Sequence, residues 1–149
     1  MKPVFPKEFH FHYSLANLLG RSYPLIIKRL TAYLKEKKLP ISADQFRILT
    51  HLWEKDGCSQ QTLANLSHRN RANITRHIDS MENLGLLRRE QDKNDRRIYR
   101  VFLMDAGHEL EIEAIKCAKQ ALTDATQNID EAELSICLKV IQQTIDNLS

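Results

Sequence analysis

The sequence predicts a mainly α-helical protein with one small β-hairpin. Apolar residues recur at intervals of three and four along most of the chain, which is the spacing of one face of an α-helix. Two short segments, Leu86–Glu90 and Arg97–Leu103, are instead predicted to be strands, and they flank a charged turn. Only four glycines occur among the 149 residues, and three of them punctuate these segments.

The N-terminal half is predicted to form three helices. The first spans about Phe11–Lys38, where Pro24 predicts a kink or two consecutive helices. The second begins at the capping box Ser42–Gln45. Ser59 is expected to cap a short third helix over Gln60–Leu66.

The central helix is expected to span Arg71–Leu84. Asn70 is a suitable N-cap, and Gly85 stands where a helix-ending residue adopts the left-handed conformation. The predicted buried stripe of this helix consists of Ile74, Ile78 and Met81. The remaining faces are polar and can meet solvent or a partner.

Two long amphipathic helices are predicted after the hairpin. The first spans about Ala106–Asn128, and Asp105 is expected to cap it. The second begins at Asp130, with Glu133 in the capping-box position. The chain shows no internal repeat, and 149 residues are most naturally one domain.

The charge of the chain is unevenly distributed. The net charge is +3, but residues 1–40 carry +6, residues 69–100 carry +4 and residues 101–149 carry −6. This asymmetry indicates a basic working surface and an acidic C-terminal end.

Several classes of protein are disfavoured. The cysteines, Cys58, Cys117 and Cys137, form no CxxC pair, which suits a reducing cytosol and argues against a disulfide framework or zinc knuckle. The N-terminus does not resemble a signal peptide, and no apolar run approaches the roughly 20 residues of a membrane helix. The histidines have no metal-ligand spacing, and no catalytic grouping occurs. We therefore expect a cytoplasmic protein that is not an enzyme and needs no metal or cofactor.

The order of elements is that of a winged helix-turn-helix: a short helix, a polar turn, a second helix and a hairpin. The second helix of this arrangement enters the major groove of DNA. The candidate DNA-binding residues are Gln60, Gln61, Arg69, Asn70, Arg71, Asn73, Thr75, Arg76, Lys93, Arg96 and Arg97. A helix face of arginine and asparagine is often only solvated, but its position between a capped helix and a basic-tipped hairpin favours DNA.

Each candidate has a chemical reason. Arginines neutralise phosphates or pair with guanine, asparagines read adenine, and Thr75 can contact a phosphate or a thymine methyl. Gln60 and Gln61 begin a helix whose free N–H groups suit a phosphate. Lys93 is expected to contact a phosphate, and Arg96 and Arg97 to probe a groove. An acid is repelled by DNA, so Asp95 is expected to hold a neighbouring arginine in position.

The chain resembles the MarR (multiple antibiotic resistance regulator) family of bacterial transcription regulators over about Leu15–Leu148. The resemblance is carried by Thr75-Arg76, Met81-Glu82, Gly85-Leu86, by Arg88 or Arg89 with Asp95-Arg96-Arg97, and by LANL at Leu63–Leu66. One departure is LMDAG at Leu103–Gly107, where the family usually has Leu-Thr-x-x-Gly.

The resemblance implies a homodimer on a pseudo-palindromic double-stranded DNA operator. Residues of about 42–104 would form the DNA-binding lobe, and residues of about 9–38 and 105–149 the dimerisation helices. The apolar stripes of these outer helices support a dimer independently, since little of their own chain remains to cover them. The resemblance also implies a small effector, often phenolic or aromatic, but no effector-binding residue is assigned.

The leading hypothesis is a ligand-responsive, homodimeric, DNA-binding transcription regulator, expected to be a repressor. The alternative is a winged-helix module that binds protein without specific DNA binding. Selection of DNA sites would discriminate the two.

Overall fold

A computed structural model describes residues 12, 14–66 and 71–149. Within them the chain forms α-helices and three short strands, which confirms the predicted class. In chain order these are α1 Leu15–Glu36, α2 Ala43–Glu54, β1 Cys58–Ser59, α3 Gln60–Leu66, α4 Arg71–Asn83, β2 Leu87–Gln91, β3 Tyr99–Leu103, α5 Asp105–Glu109, α6 Glu111–Ala125 and α7 Glu131–Leu148.

Helix α1 is one continuous helix through Pro24, so the expectation of two consecutive helices is wrong. Proline removes one helical N–H, which leaves the carbonyl four residues earlier without its partner. That carbonyl belongs to Gly20, and both residues are exposed, so water can donate to it. Further along, Leu30 and Leu34 are buried and anchor the helix.

The start of α2 is set by the predicted capping box. The backbone N–H of Gln45 donates to the Ser42 hydroxyl at 3.2 Å, and the Ser42 N–H donates to the Gln45 side chain at 2.8 Å. The Gln45 amide also donates to the Ser80 hydroxyl at 3.1 Å. The buried Gln45 therefore has partners for its polar atoms and joins α2 to α4.

The three strands form an antiparallel sheet in the order β1-β3-β2. Leu87 pairs with Leu103 and Gln91 with Tyr99, while Cys58 of β1 pairs with Val101. Strand β1 was not predicted, because a two-residue strand carries no periodic pattern. Its pairing ties the hairpin β2–β3, hereafter the wing, to the segment that leads into α3.

A single core joins the lobe to the outer helices, and its side chains come from α1, α2, α3, α4, α6 and the sheet. The largest fully buried side chains are Leu34, Ile48, Leu49, Leu52, Leu63, Ile74, Ile78, Met81, Leu87 and Val101. The predicted stripe of α4 is therefore confirmed. Full burial of one such side chain contributes about 1.5–3 kcal/mol.

The helix after the wing differs from expectation. Two helices, α5 and α6, break at Leu110 where one was predicted. Met104 occupies the N-cap position without a side-chain hydrogen bond, so the capping role expected of Asp105 is wrong. The Met104 N–H donates to the Leu86 carbonyl at 3.0 Å. The extended backbone at Met104 thus continues the sheet, and this pairing sets where α5 begins.

The C-terminal helices contrast in their packing. Helix α6 lies against α1, where the Tyr33 hydroxyl donates to Asp124 at 2.6 Å and Arg29 pairs with Asp124 at 2.8 Å. Asp130 is the N-cap of helix α7, as predicted, and its side chain accepts from the N–H groups of Ala132 at 2.9 Å and Glu133 at 3.3 Å. No residue of α7 is buried. Its exposed large apolar side chains are Ile136, Leu138, Val140, Ile145 and Leu148.

None of the helices in the described ranges is long and apolar enough to cross a membrane.

Gly107 provides a stability test of the junction between the wing and α5. A Cβ at Gly107 would lie 2.1 Å from the Leu86 carbonyl oxygen, so the sheet and α5 would have to separate. We expect Gly107→Ala to lower the free energy of unfolding by about 1–3 kcal/mol in denaturant titration. Gly20→Ala is the matched control, since nothing lies within 4 Å of its added Cβ, and it should stabilise α1 by about 0.5–1 kcal/mol. Equal effects of both variants would contradict the close approach.

Candidate nucleic-acid interface

Helices α3 and α4 are oriented by their buried residues. The Ser59 hydroxyl accepts from the Thr62 N–H at 3.0 Å, which is the predicted cap of α3. Leu63 of α3 is fully buried, as are Ile74 and Ile78 of α4. The polar residues on the other side of each helix therefore face outward.

Two predicted DNA-binding residues, Arg69 and Asn70, lie outside the described residues, and so does the expected cap at Asn70. Arg71 is the first residue of α4, but its side chain is not among those that the structure describes. On α3, Gln60 is half-buried, whereas Gln61 is exposed and donates to the Asn65 side chain at 2.9 Å.

Asn73 and Arg76 of α4 form a pair. Arg76 is exposed, and its guanidinium donates to the side-chain oxygen of the half-buried Asn73. An asparagine that reads adenine needs this oxygen to accept from the base. Asn73 can read adenine through the second lone pair of this oxygen or after the pair opens, or it can act by orienting Arg76. Thr75 lies half-buried beside it.

An ion-pair cluster joins α4 to the wing. The Arg89 guanidinium donates to Glu82 at 2.5 and 3.1 Å and pairs with Asp79 at 2.7 Å. The Arg89 backbone N–H donates to Glu82 at 3.0 Å. The hydrogen bond from Arg89 lowers the pKa of the Glu82 carboxyl and raises the pKa of Arg89. Helix α4 and strand β2 are thereby held as one body.

The wing tip presents basic side chains. Lys93 and Arg96 are exposed, and the Arg97 side chain is 91% exposed. Asp95 accepts from the Arg97 guanidinium at 3.0 and 2.9 Å and from the Arg97 backbone N–H at 3.0 Å. These bonds lower the pKa of Asp95. The neighbouring arginine that Asp95 contacts is thus Arg97.

Asp92 is a site residue that the sequence did not single out. It is buried, accepts from the backbone N–H groups of Asn94 at 2.8 Å and Asp95 at 3.1 Å, and accepts from Arg100. The hydrogen bond from Arg100 is the main cause that lowers its pKa to about 2. A run of acids and bases in a turn gave no signal for which acid is buried.

A depression of about 270 Å³ lies between α3 and the wing. It is lined by Ser59, Gln60, Gln61, Arg97, Ile98 and Tyr99. The fold therefore brings the predicted residues of α3 together with Arg97. Lys93 and Arg96 do not line this depression.

The described residues also contain buried thiols and a second cavity away from this surface. Within residues 12, 14–66 and 71–149, no three His, Cys, Asp or Glu side chains come together as metal ligands. Cys58 and Cys117 are buried free thiols, and burial raises the pKa of Cys117. A cleft of about 610 Å³ between α1 and α6 is lined mainly by charged and polar side chains, including Lys37 and Lys116.

Comparison with known proteins places this surface in context. The model of the MarR family matches residues 41–99. An uncharacterised HTH-type transcriptional regulator of Bacillus subtilis (strain 168), YdgJ, is 29% identical over 110 residues. That match covers 73% of this chain and 66% of YdgJ, just under two thirds of the relative's length.

Solved structures share the fold. Bordetella bronchiseptica BpsR, whose DNA binding is regulated by 6-hydroxynicotinic acid, superimposes with a TM-score of 0.83 at 22% identity, covering 93% of this chain and 98% of BpsR. The transcriptional regulator BldR from Sulfolobus solfataricus gives a TM-score of 0.79 at 26% identity, covering 89% and 93%. These similarities confirm the predicted winged-helix fold with flanking helices.

The lowered pKa of Asp92 predicts a pH dependence. A carboxyl whose pKa drops on folding stabilises the protein above its unfolded pKa and loses that contribution as pH falls through the folded value. The pKa of the Asp92 carboxyl is lowered from 3.8 to about 2, chiefly by the hydrogen bond from Arg100. The stability gap between wild type and Asp92→Asn should therefore be largest above about pH 4 and shrink towards pH 2. Urea titrations of both proteins across this range test it, and a gap that does not change with pH would contradict it.

Proposed function

We propose that the chain is a regulator of the MarR family: a homodimeric, DNA-binding transcription regulator of a pseudo-palindromic operator, acting as a ligand-responsive repressor. The match of the family's model to residues 41–99 and the 29% identity to YdgJ support this proposal. The observation that carries the proposal is the joining of α4 to the wing by Glu82 and Arg89. Because α4 and the wing are joined, the exposed side chains of Arg76 on α4 and Arg97 on the wing keep a fixed spacing.

In the proposed complex, α4 lies in the major groove and the wing tip reaches the adjacent minor groove with Arg96 or Arg97. Arg69, Asn70 and Arg71 at the start of α4 would approach base edges. The partners of a symmetric dimer would contact half-sites about 34 Å apart, or a multiple of this distance. Lys93, Gln60 and Gln61 would contact phosphates and set the register without reading sequence.

The homodimer is supported by the unburied apolar surface of the outer helices. Leu15, Leu18 and Leu25 of α1 are exposed together with much of α7. Apolar surface of this extent usually marks an interface. A two-fold dimer would cover it and place two lobes on opposite sides of the axis.

The proposed regulation follows from two states of the dimer. A small aromatic or phenolic effector would release DNA by binding more tightly to a dimer whose lobes do not match the operator. BpsR, whose DNA binding is regulated by 6-hydroxynicotinic acid, supports this class of ligand.

The free cysteines of the described residues suit action in the reducing cytoplasm.

The rival function is a protein-binding winged-helix module. It predicts weak, sequence-independent DNA affinity, so selection of binding sites from random DNA by the purified protein tests the two functions directly. An enriched two-fold sequence supports the regulator, and recovery of unselected DNA supports the module.

The wing contact can be tested at Arg97. We expect Arg97→Ala to weaken operator binding and to make the plot of log K against log salt shallower by about one unit, because one phosphate-neutralising charge is lost. Lys119→Ala removes one exposed positive charge from α6 and should leave the slope unchanged. Unchanged binding by Arg97→Ala across the salt titration would rule out the wing assignment.

The Asn73–Arg76 pair predicts coupled base preferences. Asn73→Ala should cost about 1–3 kcal/mol of discrimination at one base position. If Asn73 acts by orienting Arg76, then Arg76→Ala should lose discrimination at the same base position as Asn73→Ala. If Asn73 reads a base directly, the two variants should lose discrimination at different base positions. Site selection with both variants distinguishes these cases, and Asn147→Ala on α7 is the control. If both variants keep the base preferences of the wild type, neither Asn73 nor Arg76 reads DNA sequence.

The dimer interface can be tested on α7. Leu138 is 59% exposed in the single chain, so Leu138→Glu should not disturb the lobe. If a partner covers Leu138, the loss of about 3 kcal/mol should weaken dimerisation about 100-fold in light scattering on dilution. Lys139→Glu, the neighbouring polar position, is the control. A Leu138→Glu dimer as stable as wild type would place the interface elsewhere.

A further inference from the structure

The turn of the wing contains an acid that is buried although it lies among charged residues. Asp92 is 8% exposed. A buried carboxylate is costly unless hydrogen bonds and an opposite charge compensate it. Two backbone N–H groups, of Asn94 and Asp95, donate to one oxygen of Asp92, and the Arg100 guanidinium donates to the other. Its lowered pKa agrees with these contacts.

The same arginine reaches a second element. Another nitrogen of Arg100 donates to the carbonyl of Gly57 at 3.0 Å. Gly57 lies between α2 and β1 with φ +75°, and a Cβ there would meet the Phe102 ring at 2.8 Å. Its own N–H donates to Val101 at 3.1 Å. Arg100 therefore connects the wing turn to the backbone that leads into α3.

A chain of contacts runs from this connection to the exposed tip. Asp92 accepts from the Asp95 N–H, and the Asp95 side chain binds Arg97 through three hydrogen bonds. The Ile98 N–H donates to the Asp95 carbonyl at 2.9 Å, which closes the turn. A displacement of Asp92 would thus be transmitted to Arg97.

We propose that Asp92 and Arg100, with the Gly57 carbonyl, form a wing clamp that sets the position of Arg97 relative to α3 and α4 and so determines affinity for DNA. Asp92 and Arg100 are positioning residues in this role. The proposal rests on the proposed DNA-binding function.

The clamp makes a prediction opposite in sign to simple electrostatics. Removing a negative charge from an element that approaches phosphates should strengthen binding. If Asp92 positions Arg97, Asp92→Asn should instead weaken it, because a neutral amide is a poorer acceptor for Arg100 and cannot reproduce the ion pair. The sign of the change therefore separates the two accounts.

The first experiment compares two neutral substitutions in the same wing. Asp92→Asn removes the clamp charge, and Glu90→Gln removes an exposed charge that pairs with the nearby Arg88. Affinity is measured on an operator selected with wild-type protein, and folding is followed by circular dichroism. We expect roughly tenfold weaker binding by Asp92→Asn, about the loss of one good contact, and equal or tighter binding by Glu90→Gln. Equal or tighter binding by folded Asp92→Asn overturns the proposal.

The second experiment asks whether the clamp acts through Arg97. In the Asp92→Asn background, Arg97→Ala should cause less than about a further twofold loss, since a misplaced Arg97 contributes little. Fully additive losses overturn the proposal. If Asp92→Asn does not fold, Arg100→Met replaces it, and the loss of DNA affinity caused by Arg97→Ala is measured in the Arg100→Met background with the same expected outcome.

The failures of the two proposals are distinguishable. If wild type shows no sequence preference and Arg97→Ala binds DNA as wild type does, the proposed function itself is wrong. If Arg97→Ala weakens binding while Asp92→Asn does not, the function stands and only the wing clamp is wrong.

Discussion

The Glu82–Arg89 interaction is the constraint on which the rest of the interface depends. A helix and a hairpin that approach adjacent grooves of one duplex must keep a fixed spacing, since a shift of an ångström misplaces every hydrogen bond. Arg89 supplies this by binding Glu82 and Asp79 of α4 from a strand of the wing. The pair is partly exposed, so its role is geometric more than energetic. The buried face of α4 provides the stability, and the ion pair provides the alignment.

Much of the fold was predictable because its signals are local. The cap at Ser42, the left-handed Gly85 and the apolar spacing of α4 each depend on residues within a few positions of one another. Strand β1 and the start of α5 were not predictable, because long-range contacts determine them. Met104 pairs with Leu86 across the sheet, and Gly107 approaches the same carbonyl. No local pattern reveals either contact.

The same distinction divides the candidate site. The pairing of Asp95 with Arg97 spans two positions, and an acid beside arginines already indicated it. Asp92 also has charged neighbours, yet its burial depends on the hydrogen bond from Arg100, eight positions away. Arg100 in turn donates to the carbonyl of Gly57, which is 43 positions from Arg100 in the chain. Which of the two acids points inward is decided by the closure of the turn against the sheet. A single sequence does not contain that information.

The junction between the lobe and the outer helices limits how an effector could act under the proposed function. The Trp53 indole donates to the Gly107 carbonyl at 3.0 Å, and Met104 donates to Leu86, so α5 is held against the lobe on two sides. Close packing at Gly107 leaves no space for α5 to slide. Under that function, a change in the spacing of two lobes would be taken up beyond α5, and the break at Leu110 is the first interruption of the helix after it. The lobe would then move as a unit, with α4 and the wing keeping their alignment while their separation from the partner's lobe changes.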